Sequence, residues 1–100
     1  MKRLNNIILI RVDGYKKIGM GHLYRTVILS KFLKIKYNIN SVFIIRNNKA
    51  SVDFIANNNF RYYTIRFNMS FMEELKIIKN VNTIEKPKVI LLDILRKNNE

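Results

Sequence analysis

The stretch "NNIILIRVDGYKKIGMGHLYRTVILSKFLKIK", Asn5 to Lys36, decides how the rest of the chain is read. Its opening, Asn5 to Val12, is a short and almost continuous apolar run, the pattern of a strand buried on both faces. Its end, from His22 onward, carries Leu23, Val27, Ile28, Phe32 and Ile35 at helical spacing, with Lys31 and Lys34 for the outer side. Between them lies a loop that holds every glycine of the chain, Gly14, Gly19 and Gly21, and leads straight into its one histidine, His22. A buried strand that passes through a glycine loop into an amphipathic helix is the first half of a βαβ unit.

The same alternation continues outward. "SVFIIR" at Ser41 to Arg46 predicts a second buried strand, and "KASVDFIA" at Lys49 to Ala56 a short helix that ends in the turn-prone Asn57 to Asn59. "FRYYTIRF" at Phe60 to Phe67, rich in aromatic and β-branched residues, predicts a third strand. Ser70 and Glu73 have the spacing of a capping box, which opens a helix carrying Leu75, Ile77 and Ile78. Pro87 closes the connection, and "KVILLDIL" at Lys88 to Leu95 predicts a fourth buried strand. The expected fold is α/β: an open parallel, Rossmann-like sheet of four strands with helices on both faces. Nothing after the fourth strand remains to cover its outer side. Residues 1–100 therefore read as a single incomplete domain, a truncated product or one piece of a longer protein.

Composition bounds the function. With 48% apolar residues the chain is globular rather than disordered. The absence of cysteine removes disulfides and thiolate metal sites, and a single histidine removes the usual zinc site, so no metal and no cofactor are expected. The apolar run at the N-terminus is short and interrupted by Arg11 and Asp13, unlike a signal peptide or membrane span, which makes the cytoplasm the expected compartment. The net charge of +12 admits nucleic acid, an anionic membrane surface or phosphate-bearing ligands as partners. The basic residues are scattered through every segment, without a block of five or six. That argues against a nucleic-acid stripe and for compositional drift in a chain crowded with Asn, Ile and Lys.

Ligands of a doubly wound sheet bind outside the carboxyl ends of its strands, where the glycine loop is expected to lie. Backbone amides at a helix start suit phosphate. Two common phosphate motifs fail here. Gly14 and Gly19 have Walker spacing, but Met20 and Gly21 stand where Lys and Ser or Thr belong. A dinucleotide fingerprint from Gly19 and Gly21 meets Tyr24 at its third glycine, where a tyrosine would obstruct close helix-to-strand packing. The second strand ends in Arg46 and Asn47 rather than an acid for the ribose.

"RVDG" at Arg11 to Gly14, followed by "IGMGHLYR" at Ile18 to Arg25, resembles the N-terminus of the UDP-sugar hydrolases of pseudaminic acid biosynthesis and the related spore-coat polysaccharide proteins. "VILLDIL" at Val89 to Leu95 is similar to the family's fourth strand, which ends in an Asp. The resemblance implies a GT-B arrangement, in which a second domain grips most of the nucleotide. It implies a UDP-sugar substrate, to be hydrolysed or to have its sugar transferred, in surface polysaccharide or nonulosonic acid biosynthesis. It also implies that His22 is the catalytic residue, activating water against the anomeric carbon. This chain corresponds to part of the first domain only, so it is expected to need a second domain or chain to complete the cleft and to fall short of activity alone.

The candidate substrate-binding residues are Asp13, Gly14, Gly19, Gly21 and Arg25. The positive end of the helix dipole favours a neutral His22 ring, ready to accept a proton; the competing reading is a first-turn histidine that merely packs. Gly19 and Gly21 either admit backbone amides to a pyrophosphate or only shape a turn. Arg25, three residues past His22 on the same helix face, either holds a phosphate or sugar oxygen or is a surface arginine. Asp13 shares a face with Arg11; it could orient His22, bind a sugar hydroxyl, or only neutralise Arg11, whose own role reads as that pairing. Asp93 at the end of the fourth strand reads as a cap. Lys16 and Lys17 could draw an anion to the loop, or be merely solvated. The alternative function is a small basic binding module for nucleic acid or an anionic membrane surface. Peripheral membrane contact of a sugar enzyme through the basic surface is a further expectation.

Overall fold

Period-two alternation in two apolar strands decides where the core lies. In β1 (Ile7–Val12), Ile10 and Val12 point to one face and Leu9 and Arg11 to the other; in β2 (Asn40–Arg46), Phe43 and Ile45 share the first face and Val42 and Ile44 the second. Both strands are buried from each side, so helices must cover both faces. The computed structural model describes residues 6–14 and 19–93 and shows this arrangement. α1 (Gly21–Tyr37) and α2 (Lys49–Asn57) cover one face, where Leu23, Val27 and Ile55 pack on Ile10, Val12, Phe43 and Ile45. α3 (Phe71–Glu85) covers the other, where Ile78 and Val81 meet Leu9, Val42, Ile44 and Ile65.

β3 (Arg61–Ile65) and β4 (Val89–Asp93) flank the central pair, and the four strands form one parallel sheet in the order β3-β2-β1-β4. The chain thus moves outward from β1 to β3, then returns across the sheet through α3 to lay β4 beside β1. The order of strands reverses there. That reversal opens a crevice outside the carboxyl ends of β1 and β4.

The helix boundaries have local causes. Ser70 accepts from the Glu73 amide at 3.2 Å and Glu73 accepts from the Ser70 amide at 3.1 Å, the reciprocal capping box that the Ser-x-x-Glu spacing predicts. The Ser70 amide, first, and then its hydroxyl and Arg66 hold the Glu73 carboxyl below its ordinary value. Asn48 caps α2 by accepting from the Ser51 amide. Asn38 ends α1 in the left-handed region, at φ 56°.

Three expectations are corrected. The helical stripe Leu23, Val27, Ile28, Phe32, Ile35 is not the buried face of α1: Ile28, Phe32 and Ile35 are 69%, 52% and 86% exposed, and the sheet side is completed by Thr26 and Ser30. β4 is not a buried strand either. It pairs only with β1 among the described residues, and Val89 to Leu92 are 36–57% exposed. β3 is also shorter than "FRYYTIRF", because its pairing with β2 ends at Ile65. Ile94 and Leu95 lie outside the described residues.

Candidate functional site

β1 ends with Val12 in register with Asp93, the last residue of β4, so the start of the glycine loop and the Asp93 carboxylate share the crevice edge. α1 begins at Gly21 above it, and His22 in its first turn reaches across. His22 Nδ1 stands 3.1 Å from Asp93 Oδ1, both side chains about one-third exposed. A carboxylate can only accept, so the tautomer that makes this contact carries its proton on Nδ1 and presents Nε2 as the acceptor. Arg25 Nη2 lies 3.2 Å from the same Nδ1. A guanidinium can only donate, so this contact belongs to the other tautomer, and Asp93 and Arg25 compete for the same nitrogen. The crevice therefore brings together an imidazole, a carboxylate in contact with it, and an exposed guanidinium near a helix N-terminus.

The three glycines serve different needs. Gly14 lies under α1: a Cβ there would come within 2.8 Å of Leu23 Cβ and 3.0 Å of its Cδ2. Its carbonyl also accepts from the buried Ser51 hydroxyl. Packing alone demands this glycine. Gly19 has φ 83°, which an L side chain adopts only with strain. Gly21 has neither constraint; the nearest atom to an added Cβ is the flexible end of Arg25, at 3.4 Å. Among the described residues nothing requires glycine at 21, and its bare backbone faces the same space as Arg25.

Asp13 stands apart from His22 in its bonding. It is 8% exposed and accepts from Arg11 Nη1 at 2.7 Å and Nη2 at 3.0 Å, and from Arg46 N and Nε at 3.2 Å each. Of the three roles left open for it, neutralising Arg11 is the one it fills. Arg11 is fully buried; its Nε donates to Glu74 Oε2 at 2.6 Å, and Glu74, also fully buried, lies 3.5 Å from Arg46 Nη2. Burial opposes the Arg11 charge, but the hydrogen bonds to Asp13 and Glu74 outweigh it and hold the guanidinium more firmly protonated than usual. Two cations and two anions thus close a neutral ring that ties the ends of β1 and β2 to the first turn of α3. Arg46 also donates to the Phe67 carbonyl at 2.5 Å, so it is committed to the protein rather than to a ribose phosphate. Tyr24 does not obstruct the strand; its ring turns to Phe54 of α2 at 4.7 Å.

Sequence reasoning missed the partners of two residues it had singled out. Asp93, read as a cap, is the His22 partner, and Glu74 went unnoticed beside Arg11. A charged side chain in the middle of a doubly buried strand was the available signal, since it requires an acid on the same face. Ile18 and the lysine pair Lys16 and Lys17 fall outside the described residues. Among the described residues no group of three or more potential ligands could hold a metal ion, and no helix is long and apolar enough to cross a membrane.

An uncharacterized protein of Methanocaldococcus jannaschii is 34% identical to this chain over 89 residues, 88% of the chain. The chain spans 17% of the length of that relative. No family model and no solved structure matches.

Proposed function

We propose that the chain is the first, Rossmann-like domain of a GT-B sugar-nucleotide enzyme, which hydrolyses a UDP-sugar or transfers its sugar in surface polysaccharide or nonulosonic acid biosynthesis. The observation that carries this reading is the His22–Asp93 contact at the point where the strand order reverses. Asp93 orients the ring, and Nε2 takes the proton of a water, or of an acceptor hydroxyl, as its oxygen attacks the anomeric carbon. The bond from that carbon to the β-phosphate oxygen breaks, and UDP leaves with the bonding electron pair. Arg25 and the amides at the start of α1 balance the charge that gathers on the departing diphosphate. Gly21 gives that phosphate access to the backbone. A second domain or chain grips the remainder of the nucleotide across the crevice.

UDP release from a panel of UDP-sugars, measured with the second domain or chain in place, tests this reading, with His22→Ala and Asp93→Asn run beside the parent and far-UV circular dichroism confirming the fold. General-base catalysis is worth roughly 10²–10⁴ in rate. Loss on that scale in His22→Ala, with a smaller loss in Asp93→Asn, is expected. Turnover that survives His22→Ala removes the histidine from the mechanism.

A further inference from the structure

We infer that the chain carries a second small-molecule site, at the opposite edge of the sheet from His22, which takes an organic anion with an apolar body. A cavity of about 320 Å³ opens where β1, β2 and β3 begin, beneath the last turn of α1. That volume lies within the range of small-molecule pockets, roughly 300–1,000 Å³. It equals about ten water volumes at ~30 Å³ each, enough for a molecule the size of phenyl phosphate.

The chemistry of the wall selects the ligand. Ile7, Val42 and Phe60 supply an apolar lining, and the Phe60 ring is fixed edge-on against the buried Phe43 at 5.3 Å. Lys34 stands at the rim, its ammonium held by Asn38 Oδ1 at 3.1 Å and Asn40 Oδ1 at 2.9 Å. An ammonium has three donors, so one remains. The two amide oxygens that hold it are neutral and leave its charge uncompensated. Arg61 adds a second cation, with one nitrogen committed to Glu85. Among the described residues no carboxylate lines the cavity.

Ser41 lines the cavity at 5% exposure, and its buried hydroxyl has no hydrogen-bond partner among the described residues. A buried hydroxyl left unpaired costs stability; sealed from solvent, it offers the cavity no donor. A spare ammonium donor, a second cation and an apolar wall fit a carboxylate or phosphate monoester on an aromatic or aliphatic body. None of these groups belongs to the crevice at His22, so this site stands or falls apart from the sugar-nucleotide reading.

Amide chemical shifts of the ¹⁵N-labelled chain, titrated with phenyl phosphate and separately with benzoate, test the inference. Phenol supplies the body without the charge, and inorganic phosphate the charge without the body. Saturable shifts at Asn40, Ser41, Phe60 and Arg61, with either organic anion and with Gly19 and Gly21 unmoved, are expected. Lys34→Gln should weaken binding about tenfold or more, as loss of a charge-assisted hydrogen bond implies, without changing the melting temperature. The inference is overturned if neither organic anion gives saturable shifts there, if phenol or inorganic phosphate binds as well, or if both Lys34→Gln and Arg61→Gln bind like the parent.

Discussion

Glu74→Ala should be among the most damaging single substitutions in the chain, and the ring around Arg11 gives its size. Arg11 is fully buried and spends its donors on Glu74 Oε2, both Asp13 oxygens and the Val12 carbonyl. Removing Glu74 orphans Nε at the 2.6 Å contact and leaves two guanidinium groups facing one carboxylate. Breaking a buried pair by deleting one partner costs about 3–5 kcal/mol, because the other charge stays in a poorly solvating place. A chain of this size has a total stability of roughly 5–15 kcal/mol, and each kcal/mol moves the melting point by about 4–8 °C. The expected drop is on the order of 15–30 °C, read by circular dichroism at 222 nm and by the urea midpoint. Arg11→Met combined with Glu74→Leu removes both charges and leaves Asp13 to Arg46, which already donates to it from Nε and from its backbone amide. That double variant should regain most of the loss, since apolar replacement of a whole buried pair is often neutral or better. A cost below about 1 kcal/mol for Glu74→Ala, or a double variant no more stable than the single one, refutes the reasoning.

The glycines separate packing from function. Gly14→Ala should cost about 1–3 kcal/mol by overpacking against Leu23, whereas Gly21→Ala should hold or gain about 0.5–1 kcal/mol as a better helix former; urea midpoints distinguish them. The Glu73 carboxyl sits below its ordinary value of 4.5, so the stability of the capping box is full above that value and lost as pH falls through the lowered one. Acid titration of α3 should show this loss, and Glu73→Gln should not. The hydrogen bond to Glu85, with burial and the Glu85 charge behind it, raises the Tyr63 phenol above 10.0. Its contribution is therefore full below 10.0 and lost as pH rises through the raised value. Tyr63→Phe should remove a phenol that titrates above 10.0 from an ultraviolet absorbance titration.

How much the sequence disclosed depends on what each residue must satisfy. β1 and β2 were legible because burial on both faces makes them almost continuously apolar: Arg11 is the one charged residue of β1, and the polar residues of β2, Asn40, Ser41 and Arg46, stand at its ends. The α3 start was legible because two side chains and two amides satisfy one another locally. The buried face of α1 was not. Ile28, Phe32 and Ile35 are as apolar as Leu23 and Val27, and periodicity alone does not tell which stripe meets the sheet. Thr26 meets it by returning its hydroxyl to the Leu23 carbonyl at 2.9 Å, which hides its polarity. The partner of His22 was out of reach for a topological reason. Asp93 is 71 residues away, and only the return of the chain across the sheet through α3 lays β4 beside β1. Gly14 shows the reverse error: it shares the glycine-rich loop with Gly21, yet its reason is the side chain of Leu23.

The most direct test of the sugar-nucleotide reading is an amide chemical-shift titration of the chain with UDP-N-acetylglucosamine at millimolar concentrations. The reading predicts saturable shifts at Gly19, Gly21, His22 and Arg25, weakened by Gly21→Ala although that variant folds as well as the parent. Shifts confined to the far edge of the sheet, or none at these four residues, would contradict it.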